Sequence, residues 1–230
     1  MSAAMQPSMW CPGINLSHPR ANGLVCALPM WEGDGDKVMD YSGNGNHGTL
    51  TNMDPATDWV ATEKGWALDF VAGASQSVEC TALNLVPPFS FCTWARGALS
   101  NHICGQQSTN DDGWRIHDQA NIFRVRYQGT NFDVNEILVS ASENFHLGFT
   151  HDGFYLRQYV QGELVKETSN EITATYGASV FRLGYAYNSA LGCTGKIFNS
   201  IAHNRTLTPS EIQQLYAEPY ALYRKHGGLM

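Results

Sequence analysis

Apolar and polar residues alternate along many short stretches of this chain, and turn residues separate one stretch from the next. Residues 89–96 are the clearest case, because Phe89 and Phe91 fall on one face while Cys92 and Trp94 fall on the other. A period of two is that of a β-strand. Apolar residues on both faces are typical of a strand inside a sandwich of two sheets.

Further short strands are predicted along nearly the whole chain. They cover residues 24–30, 66–70, 76–81, 101–105, 114–117, 122–127, 136–139, 145–150, 154–160, 180–184 and 195–203. Gln161 and Gly162 have the composition of a two-residue hairpin turn that leads into Leu164 and Val165. This succession of short strands and turns predicts an all-β fold, built as an antiparallel β-sandwich.

One short helix is predicted close to the C-terminal end of the sequence. Thr208 and Glu211 have the spacing of a capping box, and Leu207 and Ile212 have that of a hydrophobic staple. We expect the helix to cover residues 209–218.

Composition and charge narrow the classes of partner. The chain has 230 residues, 43% of them hydrophobic, and a net charge of −7 without a cluster of lysines and arginines. This predicts that neither nucleic acid nor an anionic membrane is a partner. No stretch approaches the roughly 18 apolar residues of a membrane span, and residues 1–10 lack the basic and apolar parts of a signal peptide. We therefore expect synthesis and folding in a reducing cytoplasm.

The six cysteines are not spaced like zinc ligands. Cys26, Cys80 and Cys92 fall inside predicted strands, where cysteine usually behaves as a small buried hydrophobe. Free thiols in the core are the favoured interpretation, and a disulfide framework is the alternative.

Several ordered motifs resemble one known family. They begin with residues 23–33 and with the glycine- and asparagine-rich turn at residues 40–50, and they continue through residues 67–70, 78–79, 89–94, 145–162, 183–184, 195–197 and 204–216. In this order they are similar to the laminin-G-like group of concanavalin A-like jelly rolls, with Phe145 where tryptophan is usual. The resemblance implies a jelly-roll domain over residues 23–217, an extended N-terminal arm over residues 1–22 and a C-terminal tail over residues 218–230.

A narrower resemblance concerns the segments 17–25, 50–59 and 218–224. They are similar to jelly-roll proteins encoded among the virion genes of tailed bacteriophages. This implies a virion structural protein, such as a capsid decoration, head-fibre or tail-associated subunit, which is made in the host cytoplasm and binds capsid or tail proteins and further copies of itself. The arms are predicted to make these contacts through anchor residues: Trp10, Tyr220, Leu222 and Tyr223.

The superfamily also contains glucanases with an E-x-D-x-x-E strand, whose chemistry needs two carboxylates that flank the glycosidic bond. The nearest string here covers residues 32–37, where glycines indicate a loop and Lys37 stands in place of the second acid. No serine elbow and no zinc-protease helix motif is present. The sequence therefore predicts a protein that is not an enzyme.

A structural calcium ion is the one cofactor that the sequence suggests. The fold that the resemblance implies often carries such an ion, and hard cations prefer oxygen ligands. The candidate ligands are Asp34, Asp36, Asp40, Asn44 and Asn46. The alternative is that Asp40 only accepts a hydrogen bond within its own turn and that no metal is bound.

Glycan binding is the competing functional hypothesis, in which the protein is a lectin-like module of a bacterial or phage adhesion protein. Sugar recognition needs aromatic faces beside polar groups in a concave site. The candidate residues are Trp114, Arg115, Tyr185, Tyr187 and Asn188. The alternative interpretation is that these aromatic residues pack at the rim of a sheet.

Overall fold

The computed structural model describes residues 13–97, 101–109, 111–119, 122–137, 143–171 and 179–223. The strands are, in chain order, β1 (Leu24–Leu28), β2 (Lys37–Val38), β3 (Gly48–Thr51), β4 (Trp59–Thr62), β5 (Gly65–Phe70), β6 (Ser77–Cys80), β7 (Phe89–Arg96), β8 (Asn101–Gln106), β9 (Trp114–Gln119), β10 (Ile122–Tyr127), β11 (Thr130–Ile137), β12 (Asn144–His151), β13 (Tyr155–Val160), β14 (Glu163–Ser169), β15 (Phe181–Leu183) and β16 (Gly195–His203). The helix α1 (Pro209–Ala217) follows, and short 3₁₀ helices occupy Pro19–Ala21 and Ser189–Leu191.

These strands form two antiparallel sheets that pack face to face. Sheet 1 has the order β14-β13-β12-β7-β16-β5-β4, and β1 pairs with the second half of β16. Sheet 2 has the order β11-β10-β9-β8-β15-β6-β3-β2. The predicted all-β antiparallel sandwich with one short helix is confirmed.

The core lies between the sheets and is rich in aromatic rings. Phe91 and Phe149 of sheet 1 face Trp114 and Phe181 of sheet 2, and the ring centroids of Phe91 and Trp114 are 4.8 Å apart. All four side chains are shielded from solvent. Such rings remove large apolar areas from water, which is the main force that holds the sheets together.

The helix α1 covers the outer face of sheet 1. Ile212 and Leu215 pack on a cluster that includes Trp94 and Phe198, so both faces of this sheet are buried where the helix lies. The predicted capping box is present, because the Glu211 N–H donates to the Thr208 hydroxyl at 3.2 Å while the Glu211 carboxylate accepts from the Thr208 N–H at 2.9 Å. None of the helices in the described parts of the chain is long and apolar enough to cross a membrane.

The chain segments before and after the sandwich strands also pack on the domain. This corrects the prediction that the tail contacts partners, for the part of it that the structure describes, residues 218–223. Tyr220, Leu222 and Tyr223 are buried in a cluster with Ile14 and Trp31. The Asn15 N–H donates to the Leu222 carbonyl oxygen at 2.9 Å, which ties the two chain segments together. The predicted anchor Trp10 lies outside the described residues.

The five cysteines of the described ranges are free and buried, as predicted. Burial raises the pKa of Cys80, Cys92 and Cys193 to about 12, so these thiols stay protonated near neutral pH and behave as apolar side chains. Cys11 lies outside the described residues.

Buried histidines make the fold sensitive to acid, and His146 is the clearest case. Its ring lies 4.3 Å from Trp94 and 5.9 Å from Tyr216, and neither ring nitrogen has a hydrogen-bond partner among the residues described. Burial lowers the pKa of His146 to about 3. A histidine pKa that folding depresses gives stability that is complete above the unfolded value near 6.5 and is lost as pH falls toward the folded value.

We therefore expect the free energy of unfolding to fall more between pH 7 and pH 4.5 in the natural protein than in His146→Phe. The expected difference is roughly 2–3 kcal/mol, since only the natural residue must gain a proton on unfolding. Urea denaturation of both proteins at the two pH values measures it. An equal loss of stability in both proteins would contradict the assignment of acid lability to His146.

Candidate functional site

A row of polar residues crosses the outer face of sheet 2 and includes one position from every strand. Directly opposed residues on neighbouring strands share a face of the sheet. From β2 to β11 the row consists of Lys37, Thr49, Glu79, Arg182, Gly105, Arg115, Arg126 and Asn131. The residues before and after Glu79 on β6, Val78 and Cys80, point into the core, which confirms that the row faces outward.

Arg182 is one of two arginines near the centre of this row. Its guanidinium donates to a Glu79 carboxylate oxygen at 2.8 Å and to the Ala186 carbonyl oxygen at 3.2 Å. The same guanidinium lies 5.4 Å from the ring centroid of Tyr185, a distance at which a cation is attracted to an aromatic face. Arg182 is thereby held in one orientation between an acid and an aromatic ring.

Arg115 is the second of these two arginines and has a similar environment. Its guanidinium donates to the Gln107 side-chain oxygen at 2.8 Å and lies 5.3 Å from the ring centroid of Tyr187. Burial, more than the neighbouring charges, lowers the pKa of Arg115 to about 10, so the side chain stays charged near neutral pH. Beyond it, Arg126 donates to Asn131 at 2.8 Å.

Gly105 leaves the row without a side chain between the two arginines. A Cβ atom at this position would lie 2.6 Å from the Trp114 carbonyl oxygen and 2.7 Å from the Arg115 Cβ. Only glycine fits such a close approach of two strands. Gly105 therefore adds no side chain to the row, and one arginine–tyrosine pair lies on either side of it.

A second row runs beside the first, where His117 of β9 is opposite Arg124 of β10 and His102 of β8. The two histidine rings are 5.7 Å apart. Burial, followed by the charge of Arg115, lowers the pKa of His102 to about 3 and that of His117 to about 2. Both rings are therefore neutral near pH 7, and positive charge on this face comes from arginine.

Three of the five residues predicted to bind glycans lie together on this face: Arg115, Tyr185 and Tyr187. Asn188 is exposed nearby, and its side-chain oxygen accepts from the Ala190 N–H at 3.1 Å, which caps a 3₁₀ helix. The prediction for Trp114 is corrected. Trp114 precedes Arg115 on a strand and so points to the opposite face, into the core.

The sequence analysis missed Arg182, Gly105, Arg126 and the histidine pair. The alternation of Arg124 and Arg126 with buried residues in β10 is a local signal that could have indicated an arginine-rich face. The other residues join the site through strand pairing between distant parts of the chain.

The turn proposed as a calcium site is a hydrogen-bonded corner instead. The two Asp40 oxygens accept from the N–H groups of Ala27, Ser42 and Asn46, each at 2.9 Å, and from the Ser42 hydroxyl at 2.8 Å. The bond from the Ser42 N–H is the turn interaction named above as the alternative to a metal.

The asparagines of this corner are also engaged. Asn44 and Asn46 direct their NH₂ groups at the Val25 carbonyl oxygen, and the Asn46 oxygen accepts from the Thr81 hydroxyl. Hydrogen-bond donors at the carboxylate oxygens occupy the places that a cation needs, so these residues do not fit a calcium ion. Asp34 and Asp36 are exposed in the preceding loop, and the described residues contain no group of three acidic, histidine or cysteine side chains able to hold a metal.

Comparison with known structures gives several similar folds. Domain 4 of AbnA, an arabinanase from Geobacillus stearothermophilus in complex with arabinotriose, has a TM-score of 0.65 at 18% identity, over 84% of this chain and 98% of that one. Botulinum neurotoxin type C, whose cell entry depends on two ganglioside molecules, has a TM-score of 0.64 at 14% identity, over 85% of this chain and 51% of that one.

A third similar structure is the Trypanosoma rangeli sialidase in complex with sialic acid. Its TM-score is 0.63 at 15% identity, over 87% of this chain and 33% of that one. At such identities the similarity concerns the fold alone. A search of the curated proteins gave no match.

The family comparison covers more than half of the sequence. The family model described as the concanavalin A-like lectin/glucanases superfamily matches residues 72–213. This range begins before β6 and ends within α1, and it includes Gly105, Arg115 and Arg182 of the polar row. The two-sheet sandwich and this match agree, and the chain belongs to the concanavalin A-like lectin/glucanase superfamily.

Proposed function

We propose that this protein is a carbohydrate-binding module whose binding surface is the outer face of sheet 2. The observation that carries the proposal is the two arginine–tyrosine contacts beside Gly105, with Arg182 on Tyr185 on one side and Arg115 on Tyr187 on the other. Aromatic faces pack against the apolar faces of sugar rings, while fixed polar groups bind their hydroxyl groups. The two arginines are held by strands of sheet 2, and the two tyrosines belong to the segment that follows β15.

The outer face of sheet 1 also supports the choice of sheet 2 as the binding surface. The helix α1 covers the part of the outer face of sheet 1 that contains Trp94 and Phe198, and both are buried. A ligand would have to displace the helix to reach this part of the face, whereas Tyr155 on β13 is exposed. The polar row of sheet 2 has no such helix above it among the described residues.

We further propose that binding occurs without catalysis. Glycosidases need two carboxylates about 5–10 Å apart. Among the acids of this face whose side chains the structure describes, Glu79 is bound to Arg182, and Asp111 is bound to Arg126 at 3.2 Å. Glu79 of β6 and Arg126 of β10 are four strands apart in sheet 2, which is roughly 19 Å at the usual strand spacing. That distance is too long for a catalytic pair.

A virion is the setting that we propose for the module, as a subunit that binds capsid or tail proteins. The support is the similarity of residues 17–25, 50–59 and 218–224 to phage virion proteins. The genes that flank the coding sequence test this setting. Portal, capsid or tail genes would support it, and a bacterial polysaccharide-utilisation operon would contradict it.

A glycan array tests the binding function, and the strongest ligand is then titrated against variants. We expect Tyr187→Ala to weaken binding about tenfold or more, because an aromatic ring and the arginine ordered by it are both lost. Tyr155 is a matched control, since it also lies under an arginine, with the Arg157 guanidinium 5.4 Å from its ring centroid, but in sheet 1. Tyr155→Ala should bind as the natural protein does. Equal effects of both substitutions, or an array without ligands, would contradict the proposal.

A further inference from the structure

The histidine pair on the outer face of sheet 2 has unsatisfied hydrogen-bonding atoms. His102 is 2% exposed and His117 is 5% exposed, yet Nδ1 of the first and Nε2 of the second have no partner among the described residues. A buried polar atom without a partner destabilises the folded state. Two such atoms lie at neighbouring positions on one face, where an oxygen of a water or of a ligand can satisfy them.

The charges around the pair decide what that partner is. The electrostatic neighbours that act on both rings are positive, with Arg115 and Arg126 acting on His102 and Arg124 in addition on His117. Of the acids on this face, Glu79 is bound to Arg182 and Asp111 to Arg126, and Asp133 of β11 is opposite Arg124 in the strand register. Positive charge of this kind repels a cation, so the pair is a poor metal site. Neutral histidine N–H groups beside arginine are instead donors for an anion.

We propose that His102, His117 and Arg115 form a subsite for the anionic group of an acidic glycan, either a carboxylate or a sulfate ester. This inference rests on the proposed function and names the class of sugar that the same face would bind. Arg115 supplies the charge, and each histidine donates one hydrogen bond to an oxygen of the anion. Arg124 and Arg126 add positive charge along the neighbouring strand.

The half-buried Tyr187 connects the subsite to the rest of the binding face. The ring centroid of Tyr187 lies 5.3 Å from the Arg115 guanidinium carbon and 5.3 Å from the centroid of the His102 ring. A sugar that binds beside Tyr187 would therefore lie next to both groups. Hydroxyl-binding residues alone do not explain why three arginines and two histidines converge at this point of an acidic protein.

The test is a glycan array of matched pairs that differ only in charge, followed by titration of the strongest pair. The pairs are oligogalacturonates and their methyl esters, sialylated oligosaccharides and their asialo forms, and sulfated galactans and their desulfated forms. We expect the anionic member to bind about tenfold more tightly, and its affinity to fall between 50 and 300 mM salt. The three kinds of pair separate a carboxylate from a sulfate ester.

Variants show whether the preference arises at this subsite. His117→Leu removes the donor without leaving a buried polar atom, and Arg124→Gln removes a half-exposed charge. Both should reduce the preference for the anionic over the neutral member of a pair to about threefold or less. Arg157→Gln in sheet 1 is the control for loss of a positive charge, and circular dichroism confirms that each variant folds.

The outcomes separate this inference from the proposed function. Equal binding of charged and neutral members, with both abolished by Tyr187→Ala, would overturn the anionic subsite while the glycan-binding function stands. An anion preference that survives both His117→Leu and Arg124→Gln would also overturn the subsite. Absence of binding to every member of the array would overturn the proposed function itself.

Discussion

Replacement of Tyr223 by alanine is expected to reduce the free energy of unfolding by about 3–5 kcal/mol. Tyr223 is 3% exposed, and its ring centroid lies 4.6 Å from that of Trp31 and 6.3 Å from that of Tyr41. The substitution leaves a cavity beneath β1 and exposes apolar surface on Trp31. Guanidinium denaturation, followed by tryptophan fluorescence, measures the change.

The matched control for this change is Tyr223→Phe. The Tyr223 hydroxyl has no hydrogen-bond partner among the described residues, so its removal should change stability by less than about 1 kcal/mol. If Tyr223→Ala left stability unchanged, the C-terminal segment would not be docked on the domain. Tyr220, Leu222 and Tyr223 would then be available to a partner, as the sequence predicted.

Trp114→Ala is expected to cost a similar amount, about 3–5 kcal/mol. Trp114 is fully buried, and its ring packs between the sheets at 4.8 Å from Phe91 and 5.3 Å from Phe149. Trp114→Phe keeps an aromatic ring and should lose clearly less, because the indole N–H has no partner within the described residues. Thermal and chemical denaturation of the two variants give the comparison.

Glycan-binding measurements on Trp114→Ala also distinguish a packing role of Trp114 from a binding role. We expect Trp114→Ala to lose glycan binding only in proportion to the folded protein that it loses. A variant that stayed as stable as the natural protein while binding disappeared would contradict the position of Trp114 in the core. It would restore the sequence-based interpretation of this residue as a sugar platform.

Those elements of the fold that local sequence determines could be predicted. Residues 89–96 and 195–203 coincide with β7 and β16, since a period of two is readable without knowledge of the neighbouring strands. The helix begins at Pro209 as predicted, because its capping box involves residues only three positions apart. The turn at Gln161 and Gly162 has the positive φ angles, 52° and 82°, that its composition indicated.

The candidate site depends on pairing that the sequence does not show locally. Arg182 is opposite Gly105, and Gly105 is opposite Arg115, only because β15, β8 and β9 are neighbours in sheet 2. Reasoning from residue type identified Arg115, Tyr185 and Tyr187. It also added Trp114, although strict alternation along a strand places consecutive residues on opposite faces.

The environment of Asp40 also depends on contacts between distant residues, which the local sequence does not show. Glycine and asparagine predicted a specified turn, and the bond from the Ser42 N–H to Asp40 is local. The bond from the Ala27 N–H to the same carboxylate joins residues that are 13 positions apart. It is this distant donor, with the Asn46 N–H, that completes the environment of the carboxylate and leaves no place for a cation.

The central claim is that the outer face of sheet 2 binds the ligand, and calorimetric titration of Tyr187→Ala beside Tyr155→Ala tests it most directly. Each variant loses a tyrosine that lies under an arginine, but in different sheets. The account predicts that the dissociation constant rises about tenfold or more for Tyr187→Ala and stays unchanged for Tyr155→Ala, with both proteins fully folded. Unchanged affinity in Tyr187→Ala, together with weakened affinity in Tyr155→Ala, would place the binding surface on the other sheet.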